Sequence, residues 1–266
     1  MKDKDHHQSR AQIMLNKVPE ITLFFWIIKI LCTTVGETGA DFLDTNLNLG
    51  LDGVTLIMGA MLAVTLFFQF KVKKYVPGIY WLAVVLISIV GTLITDNLTD
   101  KMGVPLTITT IVFTITLSIV FVVWYKKEKT LSIHSIITSR REAFYWLAIL
   151  FTFALGTAAG DLLAEKIDLG YLLSLIIFGA LIASVAISHF VFKVNAILAF
   201  WLAYILTRPL GASIGDYLSQ NISDGGLGLG HEITSMIFFG IILVTVIYLA
   251  ITKKDVIKKS NFGDQV

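Results

Sequence analysis

Asp41, Asp96, Asp161 and Asp216 each stand fifteen residues after a tryptophan and five after a glycine, in stretches that are otherwise apolar. The spacing Trp26–Gly36–Asp41 recurs as Trp81–Gly91–Asp96, Trp146–Gly156–Asp161 and Trp201–Gly211–Asp216 without an insertion. On a helix of about 3.6 residues per turn, the third, seventh, eleventh and fifteenth positions after each tryptophan form one stripe. In the first copy the stripe reads Lys29, Thr33, Glu37, Asp41, and in the second Val84, Ser88, Thr92, Asp96. The third reads Ile149, Phe153, Thr157, Asp161, and the fourth Tyr204, Arg208, Ala212, Asp216. Five carboxylates therefore meet two cations, Lys29 and Arg208, with the hydroxyls of Thr33, Ser88, Thr92 and Thr157 among them. Oxygen donors of this kind suit Mn²⁺, Mg²⁺, Ca²⁺ or a proton, whereas soft metals want Cys or Met. The four aspartates are the metal ligands the pattern offers, and a bound divalent cation is the cofactor it suggests. Pro209 leaves the carbonyl of Ile205 without its usual donor, so a broken helix is expected beside Arg208. Lys29, Arg208 and Pro209 are read as charge-pairing or gating residues.

The elements that must position these groups follow from composition. Hydrophobic residues make up 56% of the 266 and charged residues 15%, with a mean hydropathy of +0.79, which places the chain among polytopic membrane proteins. Eight apolar runs long enough to cross about 30 Å of hydrocarbon can be drawn, near 20–43, 53–70, 78–98, 104–125, 143–164, 170–192, 195–218 and 231–252. A charged side chain inside such a run costs about 3 kcal/mol or more unless paired or hydrated, so the stripe must face a bundle interior or a wet cavity. The alternative is that the aspartates are solvated helix ends. Small residues four positions after the glycines (Ala40, Thr95, Gly160, Gly215) complete a face for close helix approach around Gly36, Gly91, Gly156 and Gly211. The tryptophans are read as interfacial anchors or repeat-packing residues.

Each repeat is thus a polar-striped first helix, an acidic loop and a blander second helix. The expected architecture is all-α: eight transmembrane helices as four tandem hairpins in a pseudo-fourfold arrangement, with first helices inside and second helices outside. The divisions are 1–19 (cytoplasmic tail), 20–74 and 75–130 (repeats one and two), 131–142 (cytoplasmic linker), 143–194 and 195–254 (repeats three and four), and 255–266 (cytoplasmic tail). Two spans per repeat make the repeats parallel, related by an axis along the membrane normal. Residues 1–19, 71–77, 126–142 and 253–266 together with Lys193 carry 17 of the 21 Lys and Arg, which predicts that both termini are cytoplasmic. The adjacent His6 and His7 are read as part of a solvated tail, and the single Cys32 excludes an intramolecular disulfide. The basic groups flank membrane spans, so no nucleic-acid partner is implied.

The stretches KVPEITLFFWIIKILCTTVGET, YWLAVVLISIVGTLITDNLTD, REAFYWLAILFTFALGTAAGDLLAEK and LAFWLAYILTRPLGASIGD resemble a bacterial integral membrane family known as a repeat of unknown function, number 347. That family has two membrane spans and a tryptophan per repeat, and the resemblance runs along essentially the whole chain. It implies a multi-pass protein of the bacterial inner membrane without implying an activity. From the residues, the leading expectation is a transporter or channel-like protein for a small cation, not an enzyme, with the bilayer and the cation as partners and the oligomeric state open. A non-transporting sensor or assembly protein is the second reading. An intramembrane enzyme using paired aspartates is the third, although the paired motifs of aspartyl intramembrane proteases are absent.

Overall fold

The computed structural model describes residues 16–46 and 49–256. His6, His7 and most of both tails lie outside the described residues. The described residues form eight long helices: α1 (Leu23–Asn46), α2 (Gly50–Lys71), α3 (Pro77–Asp96), α4 (Leu106–Glu128), α5 (Ser139–Asp161), α6 (Gly170–Phe190), α7 (Ala196–Ser219) and α8 (His231–Thr252). Each is long and apolar enough to cross a membrane, and the described residues contain no strand. Local chemistry marks their starts. The Thr138 hydroxyl accepts from Arg141 N, the Asn195 carboxamide accepts from Ile197 N and Leu198 N, and Pro77 sits in the first turn of α3. Beyond Asp96 and Asp161, α3 and α5 each continue through a π-helical turn, Asn97–Lys101 and Leu162–Lys166.

α1, α3, α5 and α7 form a closed inner ring, each touching the next and α7 touching α1. Their apolar stretches are mostly buried within the protein, while those of α2, α4, α6 and α8 are mostly not. Side chains such as Leu56, Phe67, Ile115, Ile176 and Val244 point outward from this second shell. Its order is displaced by one repeat. α2 packs on α3, α4 on α5 and α6 on α7, and α8 returns to pack on α1. A second helix therefore leans on the first helix of the following repeat and touches its own partner little or not at all.

The glycines set how closely the ring closes. A Cβ on Gly36 would collide with the Ser88 side chain, one on Gly91 would lie 2.8 Å from Phe153 Cβ, one on Gly156 would run into Arg208, and one on Gly211 into Thr33. Each repeat glycine thus makes room for the stripe residue at position seven of the next repeat, and the fourth closes on the first. Threonine hydroxyls lock two of these seams: Thr34 Oγ1 donates to Gly211 O (3.1 Å) and Thr95 Oγ1 to Ala154 O (3.1 Å).

Trp81, Trp146 and Trp201 are buried and Trp26 is half-buried, each packed within the bundle. The reason is the residue before each: Phe25, Tyr80, Tyr145 and Phe200 are buried, and every one of the four pairs stacks edge-on with its tryptophan. The Tyr80 and Tyr145 hydroxyls meet at 2.5 Å. Together these rings plug the basic end of the bundle. The segment before α1 is stitched across the same end. Lys17 Nζ meets Glu142 Oε2 at 2.6 Å, Glu20 N donates to Asp255 O at 3.0 Å, and the Tyr75 hydroxyl donates to Asp255 Oδ2 at 2.6 Å. Burial, reinforced by the Asp255 charge, pushes the Tyr75 hydroxyl well above the ordinary tyrosine range, so it remains a donor at any ordinary pH.

Candidate functional site

The stripe positions of the four repeats stack as layers along the bundle axis, because the inner helices run parallel and in register. Nearest the acidic end, Asp41, Asp96, Asp161 and Asp216 line one cavity of about 190 Å³. Glu37, Asp44, Asp100 and Glu165 line it as well, so eight carboxyl side chains share one small space. The sequence places Asp100 and Glu165 in loops, whereas the π-helical turns after α3 and α5 carry them one further turn along the stripe. They stand nineteen residues after their tryptophans, as do Thr45 and Gln220 in the other two repeats. Extending the stripe by one turn would have found them.

The carboxylates do not converge as the four aspartates alone. One oxygen each from Glu37, Asp161 and Asp216 lies within 4.8 Å of the other two. Oxygens about 2.4 Å from a shared ion can stand up to about 4.8 Å apart, so these three suit a hard divalent cation. Asp96 lines the same cavity outside this group. Asp41 is drawn toward α8, where its Oδ2 lies 3.1 Å from His231 Nδ1, since α8 packs on α1. Asp216 is 7% exposed, and no hydrogen bond or ion pair from the described residues reaches its carboxylate.

One layer inward stand Glu37, Thr92, Thr157 and Ala212, and beneath them Thr33, Ser88, Phe153 and Arg208. Arg208 is fully buried and reaches up into the Glu37 layer. Its Nη1 donates to Thr33 O at 2.8 Å, and its Nη2 donates to Glu37 Oε2 at 2.7 Å, to Thr157 Oγ1 at 2.7 Å and to Thr92 Oγ1. All four inner helices thus meet at one guanidinium on the axis. Thr33 contributes its backbone carbonyl, since its hydroxyl is committed to Ile30 O and Thr207 O, and Ser88 Oγ has no partner among the described residues. α7 continues without a break through Pro209, which packs with Arg208 against Gly156 and Gly160. The expected broken helix is absent because this packing holds the chain helical on both sides of the proline.

Lys29 lies deeper. Among the described residues its Nζ has no hydrogen-bond partner, and it sits 4.1 Å from the Phe153 ring centre and 4.3 Å from that of Tyr204. It does not pair with Glu37, although both charges lie on one stripe of α1. They are two helical turns apart, about 12 Å along α1, and Phe153 and Arg208 occupy the level between. The aromatic layer of Phe25, Tyr80, Tyr145 and Phe200 lies beyond Lys29, one residue before each tryptophan, and was also one turn outside the stripe drawn from sequence.

The loop before α8 folds back on the end of α7. Leu227 N donates to Tyr217 O (2.7 Å) and Gly228 N to Gln220 O (2.8 Å), while Leu229 and Gly230 bond to Leu218 and Ser219. It is a bracket on that helix end. At the opposite end His189 closes a local turn, its Nδ1 2.9 Å from Val194 O.

Comparison with known proteins finds one family. Residues 24–75, 79–130, 144–195 and 199–255 each match the family model described as Repeat of Unknown Function (DUF347). No curated protein and no solved structure matches the chain.

Proposed function

For a chain that belongs to the DUF347 repeat family, defined by its repeat and not by an activity, we propose a membrane transport function in which a small cation is captured by the acidic cavity. The observation that carries this reading is the crowding of eight carboxyl groups in about 190 Å³ with the Arg208 guanidinium at its floor. Such a space attracts cations and holds them against oxygen ligands. The excess of Lys and Arg at the other end supports a cytoplasmic location for that end in the inner membrane, and hence an outward-opening cavity. Below the cavity the axis is filled by Arg208, Lys29 and the aromatic layer, which favours a carrier over an open pore.

The test is uptake of Mn²⁺, Mg²⁺ and protons into proteoliposomes. Replacing Asp161 and Asp216 by Asn is expected to reduce cation uptake at least about tenfold, the loss of two charged ligands being worth more than 1.4 kcal/mol. Unchanged uptake by a folded double variant would refute the reading. The second reading, a sensor or assembly protein, draws on the neutralisation of Glu37 by Arg208. It predicts no flux above empty liposomes with any of the three ions.

A further inference from the structure

Building on that reading of the cavity, we propose that Arg208 is a tethered cation filling the inner end of the site, and that a divalent cation gains its third carboxylate, Glu37, by displacing it. Glu37 faces two ways. One of its oxygens receives the Arg208 Nη2 at 2.7 Å, and the same carboxylate converges with Asp161 and Asp216 within 4.8 Å. Asp216 adds an independent sign of a missing ligand: it is more than nine-tenths buried, lines the cavity, and has no partner among the described residues.

The displacement sets a charge threshold. A monovalent ion offers Glu37 no more charge than the guanidinium already there, which keeps three further hydrogen bonds, to Thr33 O, Thr92 and Thr157. A divalent ion brings twice the charge and engages Asp161 and Asp216 in the same step. Arg208 thereby selects Mn²⁺-like ions against Na⁺ and K⁺. Its stem is fixed against Gly156, so the guanidinium end alone moves, and leaving Glu37 also costs it the Thr92 and Thr157 hydroxyls that anchor it. No other repeat carries a cation at this position, where Thr33, Ser88 and Phe153 stand.

The experiment is Mn²⁺ titration of the purified full chain in detergent, read from the electron paramagnetic resonance signal of free Mn²⁺, with and without excess Na⁺. Arg208→Gln is expected to bind Mn²⁺ at least about tenfold more tightly, the equivalent of one charge-assisted hydrogen bond no longer competing, and to become sensitive to Na⁺. The double variant Thr92→Val with Thr157→Val keeps the charge but loosens its anchorage, and should tighten Mn²⁺ binding by a smaller factor. It decides the matter if Arg208→Gln does not fold. Unchanged or weaker Mn²⁺ binding in these variants overturns the displacement. If Asp161→Asn with Asp216→Asn nevertheless abolishes Mn²⁺ binding, the cavity reading survives alone. Absence of Mn²⁺ binding in the wild type and in both variants overturns the two together.

Discussion

Lys29 stands in the second turn of α1 with two aromatic rings for neighbours and, among the described residues, no acceptor for its ammonium. A buried charge without a partner is costly, and cation–π contact returns only about 2 kcal/mol of that cost. Lys29→Met, which keeps the stem volume and removes the charge, is therefore expected to raise stability by about 1 kcal/mol or more, seen as a higher melting temperature in detergent. A lower melting temperature would show that the ammonium has a partner of its own. Glu142 is the opposite case. It is fully buried and receives both Lys17 Nζ at 2.6 Å and Gln69 Nε2 at 3.1 Å. Glu142→Ala leaves the Lys17 ammonium without a counter-charge, held by the Phe70 carbonyl at 2.9 Å, and should cost about 3–5 kcal/mol, whereas Glu142→Gln retains a partner for one of the two donors and costs less. Equal melting temperatures for the two variants would contradict this.

At the scale of the helix, glycine normally weakens, and replacing it with alanine gains about 0.5–1 kcal/mol. The ring reverses that sign. A methyl group on Gly36, Gly91, Gly156 or Gly211 would enter the side chain of the next repeat, so each Gly→Ala there is expected to destabilise by about 1–3 kcal/mol. Gly59 on α2 and Gly240 on α8 have open space around them, and alanine at either should stabilise instead. Thermal unfolding of the six single variants separates the two groups, and a uniform response would refute the seam. Much of this was legible in sequence. The first helices declare an inner face because their polar stripe and small residues repeat at fixed spacing. The second helices declare only that they are apolar, so nothing in α2 says that it prefers α3 to α1. The choice of Arg208 over Lys29 as the partner of Glu37 was equally hidden, since it depends on the height of each group along the axis and on Phe153 standing between. Asp100 and Glu165 were missed for a local reason: a π-helical turn carries the stripe past the point where an α-helix was expected to end.

For the whole molecule, the one-repeat displacement makes a closed circle, and a circle has no privileged start. The segments preceding α1 and following α8 already meet, with Glu20 N bonded to Asp255 O at 3.0 Å. A circular permutant that joins these segments by a short linker and opens between α6 and α7, at Val194, should insert and fold with the same cavity. Its melting temperature is expected within about 2–4 °C of the parent, a difference on the order of 1 kcal/mol for a chain of this size. Failure to fold, with a linker of adequate length, would mean that chain order and not ring closure holds the bundle together.

Synthesis gives the circle a direction in time that the finished ring conceals. α1, with Lys29, Glu37 and Asp41, leaves the ribosome first, yet the guanidinium that neutralises Glu37 follows 171 residues later. The helix that shields the outer side of α1 is the last to emerge. Until then the most polar of the eight spans lacks two of the three helices on which it chiefly packs. Release of α1 into lipid is thus expected to await α7 and α8, and a chain truncated before α7 is expected to present an unneutralised first helix to membrane quality control.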